Sequence, residues 1–251
     1  MISSEQTYKA FADYYDLYVG DFKTDIEIYT LFCEKGDNIL EVGCGTGRIL
    51  KHFLESGYCM TGIDISKEML AIARKKLLNF EESGRLTIHN HDFTNSAFHS
   101  QFDKILISFY TFNYIIRKPL QFLKNINKSL NANGLLILDL FYPRSLLNQT
   151  TENEWEVKTI HHATRSITLK DKRSLKSEIE YRTQIFIEGS SEIQIDTERR
   201  YYNPVQMKEL LFRAGFQDIC FAIGYANNGF NEIIDEKDIT ANFIVKASKH
   251  V

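Results

Sequence analysis

A doubly wound α/β fold, with a mostly parallel seven-stranded sheet interrupted by an antiparallel β insertion, follows from three features of the 251-residue sequence. Short apolar runs alternate with amphipathic helical stripes through the first half. A glycine-rich turn joins the first of these runs to a helix. Between residues 142 and 203 the apolar spacing changes from helical to every second residue.

The elements follow in order. Asp37 to Val42 is an apolar strand running into Gly43-Cys44-Gly45-Thr46-Gly47, and Ile49, Leu50, Phe53 and Leu54 then mark a helical stripe that Gly57 ends. Cys59 to Asp64 is the second strand, and Ser66 is positioned to cap a helix carrying Met69, Leu70, Ile72, Ala73, Leu77 and Leu78. Arg85 to Asn90 and Phe102 to Phe109 read as strands three and four. Pro119 opens a helix, and Asn133-Gly134 turns the chain into a fifth strand, Leu135 to Leu140. In the insertion, Ile179, Tyr181, Ile185 and Ile187 share one face, continued by Ile193 and Ile195. Glu180, Arg182 and Gln184 share the other, which is expected to be wet. Pro204 to Ala214 is a helix that Gly215 stops, and Phe216 to Tyr225 and Ile239 to Lys246 close the sheet. The expected organisation is a core of residues 1–141 and 204–251, with an insertion at 142–203.

The net charge of −3 sets up no general basic field, so a nucleic-acid partner is not expected. No run of about 18 apolar residues predicts a membrane span, and the N-terminus lacks the pattern of a signal peptide. Four scattered cysteines without C-x-x-C spacing read as reduced thiols, which with the rest implies a cytoplasmic protein. No His/Asp/Glu group has the spacing of a metal site, so no metal is expected.

The turn carries the chemistry. Glycines at 43, 45 and 47 leave bare backbone at the carboxyl end of a parallel sheet, and donor N–H groups at the following helix start suit a carboxylate. The spacing is G-x-G-x-G, not the G-x-G-x-x-G of dinucleotide sites, which opposes a dehydrogenase. Glu41 before the turn would repel a pyrophosphate but suits an ammonium group. Asp64 ends the second strand, where a carboxylate can accept from both ribose hydroxyls. Asp92 could accept from an adenine amino group beside the Phe93 backbone N–H, and Met69 could pack on the ring. An adenosine bearing an amino-acid tail satisfies these positions better than a dinucleotide.

These segments, ILEVGCGTGRIL, GIDISKEML, HNHDF and NANGLLILDL, in this order, resemble the class I S-adenosylmethionine (AdoMet) dependent methyltransferases over about residues 14–246. The resemblance implies a Rossmann-like methyltransferase fold, AdoMet as cofactor and S-adenosylhomocysteine as product. The cofactor residues it implies are Glu41, Gly43, Cys44, Gly45, Thr46, Gly47, Asp64, Ile65, Met69, Asp92, Phe93 and Ser108. FADYYDLY, FYTFNYI, the insertion and ERRYYNPVQMKELLFRAGF further resemble small-molecule methyltransferases of the aminosugar N,N-dimethyltransferase kind. That likeness implies Tyr14 and Tyr15 over the cofactor tail and acceptor, and an insertion that covers the acceptor site or makes a subunit contact, as in a homodimer.

The implied reaction is direct in-line methyl transfer to a small-molecule acceptor, an amine favoured over a hydroxyl, in which alignment does most of the work. Candidate catalytic residues are Tyr15, Tyr110, His161 and His162. Adjacent strand residues point to opposite faces, so only one histidine of the pair can face a cavity. Asn113 could orient the acceptor or pack, and Arg199-Arg200 could meet a phosphate or line a solvated strand. After the fourth strand stands Ser-Phe-Tyr-Thr, not the [DNS]-P-P-[YF] of base-methylating enzymes. An RNA or protein methyltransferase and a non-catalytic AdoMet-binding module are the competing readings.

Overall fold

The computed structural model describes residues 4–99, 101–143, 154–162, 165–225 and 229–249. The core sheet is seven-stranded in the order β10-β11-β5-β4-β1-β2-β3, where β1 is Ile39–Val42, β2 Met60–Asp64, β3 Leu86–Asn90 and β4 Phe102–Ile107. Completing it are β5 (Leu130–Phe141), β10 (Gln217–Ile223) and β11 (Asn242–Ser248). β11 runs antiparallel to both neighbours, and the pairs among β1 to β5 are parallel. The carboxyl ends of β1 to β5 therefore meet along one edge.

Helices cover both faces. α1 (Ser4–Val19) and α2 (Ile26–Thr30) precede the sheet; α3 (Arg48–Glu55), α4 (Lys67–Glu82), α5 (Pro119–Ser129) and α6 (Pro204–Arg213) are its crossovers. β5 divides its side chains between the two layers: Leu136, Leu138 and Leu140 face Leu123, Ile126, Met207 and Leu211, while Ile137 faces the layer that holds Leu50, Phe53 and Leu70. Burying a leucine fully contributes about 1.5–3 kcal/mol, so these two layers dominate the core. Helix starts follow their capping signals. The Ser66 hydroxyl accepts from Met69 N at 3.2 Å, and Asn203 and Gln206 cap each other's backbone N–H at 2.9 Å.

The insertion forms a separate four-stranded antiparallel sheet of β6 (Glu156–His162), β7 (Arg165–Lys176), β8 (Ile179–Glu188) and β9 (Ser191–Arg200). Its polarity is the reverse of the expected one. Glu180, Arg182 and Gln184 are buried together with Phe186, whereas Tyr181 is 41% exposed. Register puts Ile195 opposite Gln184 and Ile193 opposite Phe186, so these two isoleucines belong to the inner face and do not continue the Ile179–Ile187 row. The cause is cross-strand neutralisation. Arg182 Nε donates to Asp171 at 2.8 Å and Arg199 Nε to Glu180 at 2.6 Å, which makes a charged face buriable under α1. Phe11, Ala12, Tyr14 and Leu17 of α1 pack with Phe186, Ile167, Leu169 and Met69.

Smaller differences have local reasons. β4 stops at Ile107 because Phe109 and Tyr110 adopt left-handed φ of 50° and 64°. Asn133-Gly134 does not separate helix from strand; β5 already begins at Leu130, and the register shift opposite Phe102 to Lys104 absorbs Asn133 at φ 60°. A 3-10 turn, Glu236–Asp238, delays the last strand to Asn242. No helix among the described residues is long and apolar enough to cross a membrane.

Candidate active site

The glycine turn uses left-handed φ at Gly43 (74°), Gly45 (53°) and Gly47 (86°), conformations that side chains resist. The N–H groups of Gly43 and Cys44 donate to Ile63 O at 2.8 and 2.9 Å and so fold the turn over β2. Only one glycine leaves open backbone. A Cβ at Gly43 would stand 2.5 Å from Thr111 Cγ2 and one at Gly47 would stand 2.8 Å from Leu77 Cδ1, whereas at Gly45 the nearest atom is the Tyr15 ring at 3.9 Å. The expectation of three bare glycines under a ligand is thus corrected. Gly43 and Gly47 are bare because the chain itself packs there.

Carboxylates cluster around this turn. Glu41 is buried, its Oε1 accepts from Ser108 Oγ at 2.6 Å, and its Oε2 has no hydrogen-bond partner among the described residues. Burial pushes its pKa up to about 7. Asp64 accepts from Gly45 N and Ser66 N, each at 2.9 Å, and burial raises its pKa. Asp92 lies past the end of β3, where its oxygens accept from Thr94 N, Thr94 Oγ1 and Asn95 Nδ2 at 2.8–2.9 Å. Asp92 thus fastens its own turn as well as standing at the shared edge. Ile65 is exposed, Cys44 and Thr46 are buried, and Thr46 Oγ1 donates to Asp16 at 2.6 Å. The Phe93 side chain is core, edge-on to His91 at 4.9 Å.

The two adjacent tyrosines of α1 part company, because neighbouring helix positions diverge by about 100°. Tyr15 lies beside Gly45, in electrostatic reach of Arg48, Glu41, Tyr114 and Asp64. Tyr14 turns to the insertion and packs on Phe186 at 5.2 Å, so its expected position over the cofactor tail is not the one observed. Met69 is likewise buried in that cluster between α1 and α4. His161 is exposed on the outer face of the inserted sheet, opposite the buried face, and cannot reach the edge where the carboxylates meet. His162 ends β6, and its side chain lies outside the described residues. Asn113 is fully buried and structural, exchanging bonds with Phe141 and Arg200 backbone at 2.7–3.2 Å.

Residues 39–134 match a family profile described as a methyltransferase domain. Over those residues the chain is similar to that family. A putative methyltransferase of Geobacillus sp. (strain WCH70) is 31% identical over 147 residues, 53% of this chain and 57% of the relative, so the chain spans little more than half the length of that relative. The CcbJ methyltransferase of Streptomyces caelestis superposes with a TM-score of 0.79 at 16% identity, covering 99% of this chain and 100% of that one. CalS10, an amino pentose methyltransferase of Micromonospora echinaspora, superposes at 0.70 with 15% identity, covering 93% and 96%. The fold is the class I methyltransferase fold.

Several polar residues at the carboxyl edge of the core sheet were absent from the expected set. Arg48, next to Gly47, forms a two-pronged bond with the fully buried Asp25 at 2.6 and 2.7 Å, and its guanidinium lies 4.7 Å over the Phe109 ring. Asp139 is fully buried and accepts from Tyr110 N at 3.1 Å and Tyr225 Oη at 2.6 Å. The available signal was a lone acid inside the apolar run Leu-Leu-Ile-Leu-Asp-Leu. From the insertion, Arg182 donates to Tyr18 Oη at 3.1 Å, and Arg199, which as a strand residue could have been solvated, is buried and lies 4.7 Å over Phe141. Tyr114 stands in electrostatic reach of Arg182, Arg199 and Tyr15, so the inner face of the insertion adjoins the glycine turn.

Proposed function

We propose that the protein is an AdoMet-dependent methyltransferase whose acceptor is a small-molecule amine. The observation that carries the reading is the buried Glu41 Oε2, which has no hydrogen-bond partner among the described residues and belongs to a residue two positions before the glycine turn. A buried carboxylate oxygen without a donor costs about 1–3 kcal/mol or more, and an ammonium group removes that cost. The amino-acid tail of AdoMet supplies such a group. Asp64 would then hold the ribose hydroxyls in place of its present backbone donors, Asp92 would face the adenine amino group, and Tyr15 would close over the tail.

When bound, AdoMet supplies an activated methyl group on a sulfonium. The protein's part is alignment and exclusion of water: α1 and the inserted sheet cover the edge, with Tyr15, Tyr110 and Tyr114 toward the core and Arg182 and Arg199 behind them. An amine is favoured because aromatic rings and carboxylates, both hospitable to an amine, outnumber unpaired cations here, and the described ion pairs leave Arg182 and Arg199 neutralised. The likeness to an amino pentose methyltransferase supports the same choice.

The test uses labelled AdoMet with D-glucosamine, 3-amino-3-deoxy-D-glucose, glycine and their hydroxyl counterparts, with products identified by mass spectrometry. Calorimetry supplies the cofactor arm. A methylated amine and micromolar AdoMet binding support the reading. Unaltered AdoMet affinity in Asp64→Ala, or methyl transfer to hydroxyls alone, refutes the corresponding part.

A further inference from the structure

The basic pair Arg199-Arg200 is divided by the strand that carries it. Adjacent strand residues point to opposite faces, so with Arg199 turned inward onto Glu180, Arg200 stands on the other side at the end of β9. There it lines a cavity of about 240 Å³, whose walls include Tyr202, Pro119 at the start of α5, and Glu209 and Arg213 of α6. None of the lining residues belongs to the glycine turn or to the carboxylates around it.

Two buried polar atoms of this wall are unanswered. Arg200 Nε and the Tyr202 hydroxyl have no hydrogen-bond partner among the described residues, and Tyr202 is only 3% exposed. Leaving a buried donor unsatisfied costs about 1–3 kcal/mol. An arginine N–H can only donate. Burial pushes the Tyr202 pKa up to about 12, so the phenol also keeps a proton to give. The Arg200 guanidinium lies 5.0 Å over the Tyr202 ring, so the two donors belong to one stacked unit.

The surroundings favour a negative charge. No side chain caps the start of α5, so the first-turn N–H groups behind Pro119 keep their positive end. Arg117 and Lys118, exposed just before Pro119, add cationic charge, as does Arg213. Glu178 and Glu209 oppose it weakly. Glu178 meets Arg200, and Glu209 meets Arg213, at 3.8 Å between exposed side chains, pairings that contribute about 0–1 kcal/mol each. Either arginine can turn to a stronger anion at little cost.

We propose that this cavity is a binding site for a phosphate group, which accepts from Arg200 Nε and the Tyr202 hydroxyl and is faced by Arg213 and the start of α5. A phosphate presents oxygens in several directions at once, as donors drawn from separate elements require. The volume is below the roughly 300–1,000 Å³ usual for whole small-molecule ligands, so it admits a phosphate or the phosphate end of something larger. The site is tied to the tyrosine loop. Arg200 O accepts from Asn113 Nδ2 at 2.7 Å, and the Tyr202 ring packs 5.4 Å from that of Phe112. Both partners lie in the 3-10 turn Thr111–Tyr114, so a phosphate that fixes Arg200 also steadies the segment standing against Gly43.

Calorimetric titration of the full chain with inorganic phosphate at low ionic strength tests the site. Binding is expected with a Kd on the order of 1 mM. Arg200→Gln should weaken it about tenfold, and Tyr202→Phe and Arg213→Gln about threefold each. Arg213 is an exposed helix residue, so its variant remains readable even where the other two fail to fold. Lys170→Gln, on the outer face of the inserted sheet, is the control and should bind as the unaltered protein does. No measurable binding, or the same weakening in Lys170→Gln as in Arg213→Gln, overturns the site. In turnover, phosphate that raises the KM of D-glucosamine 6-phosphate but not of D-glucosamine supports a phosphate carried by the acceptor. A changed kcat for D-glucosamine supports a free anion acting through the loop. Failure of methyl transfer with phosphate binding intact strikes the methyltransferase reading and leaves this site standing.

Discussion

The carboxyl edge of the core sheet and the inner face of the inserted sheet both bury acids, and they treat them in opposite ways. At the edge, Glu41 and Asp139 are surrounded by hydroxyls, amides and aromatic rings, and burial raises each to about 7. In the insertion, Asp171 accepts from Arg182 and Arg173, and those cations hold its pKa down. The insertion meets its acids with arginines across the strands, although Glu180 Oε1 is left without a partner among the described residues. The edge meets Asp139 with hydroxyl and amide donors, and leaves Glu41 Oε2 without one. The partners differ in charge, and the direction of the pKa shifts follows that difference.

The largest test of this contrast is at the edge. Asp64→Ala is expected to weaken AdoMet binding by about 3–4 kcal/mol, on the order of a hundredfold to a thousandfold, since two hydrogen bonds to a charged group are lost. Calorimetry reads it directly, beside a urea titration that measures what the two backbone donors now on Asp64 contribute to the fold. The insertion should answer in the reverse manner. Glu180→Ala strands Arg199 in the interior and is expected to cost about 3–5 kcal/mol of folding stability in urea, whereas the double replacement Glu180→Met with Arg199→Leu should recover most of it. If the single and double variants cost the same, the pair is not the reason this face can be buried.

The pH dependence should separate the regions by sign. A carboxyl raised in the fold favours the protonated state, so the contribution of Glu41 and Asp139 is complete below their unfolded values near 4 and is lost as pH rises through about 7, at up to about 1.4 kcal/mol per pH unit for each. Asp171, being lowered, contributes above its unfolded value near 4 and loses that contribution as pH falls through its folded value. Chemical denaturation between pH 5 and 8 should therefore show declining stability, and Glu41→Gln should flatten the decline. The smallest effect belongs to His161→Ala, which should leave kcat within twofold because that side chain stands exposed on the outer face.

The same contrast explains what could be read from the chain in advance. The parallel strands announce themselves as apolar runs, and the glycine turn, Glu41, Asp64 and the Ser66 cap are close in sequence to the strands that aim them. In the insertion, alternation reveals two faces but does not say which is inward. Isoleucines at 179, 185 and 187 outweigh Glu180, Arg182 and Gln184 on any hydropathy count, until Asp171 and Arg199 are known to lie across the strands. Asp25 with Arg48, and Asp139 with Tyr29 and Tyr225, escape notice for a related reason. Each pairing closes over tens of residues, and no local periodicity records it.

Gly43 has a consequence beyond its own turn. With no side chain there, Thr111 nests against the backbone of the first glycine, one residue after Tyr110. The ligand cradle and the tyrosine loop are thereby geared together like adjoining teeth, so a displacement of one is handed to the other. A side chain at position 43 would press on Thr111 and, through it, on the neighbouring Tyr110, so the hydrogen at this one Cα sets where the tyrosine loop can rest.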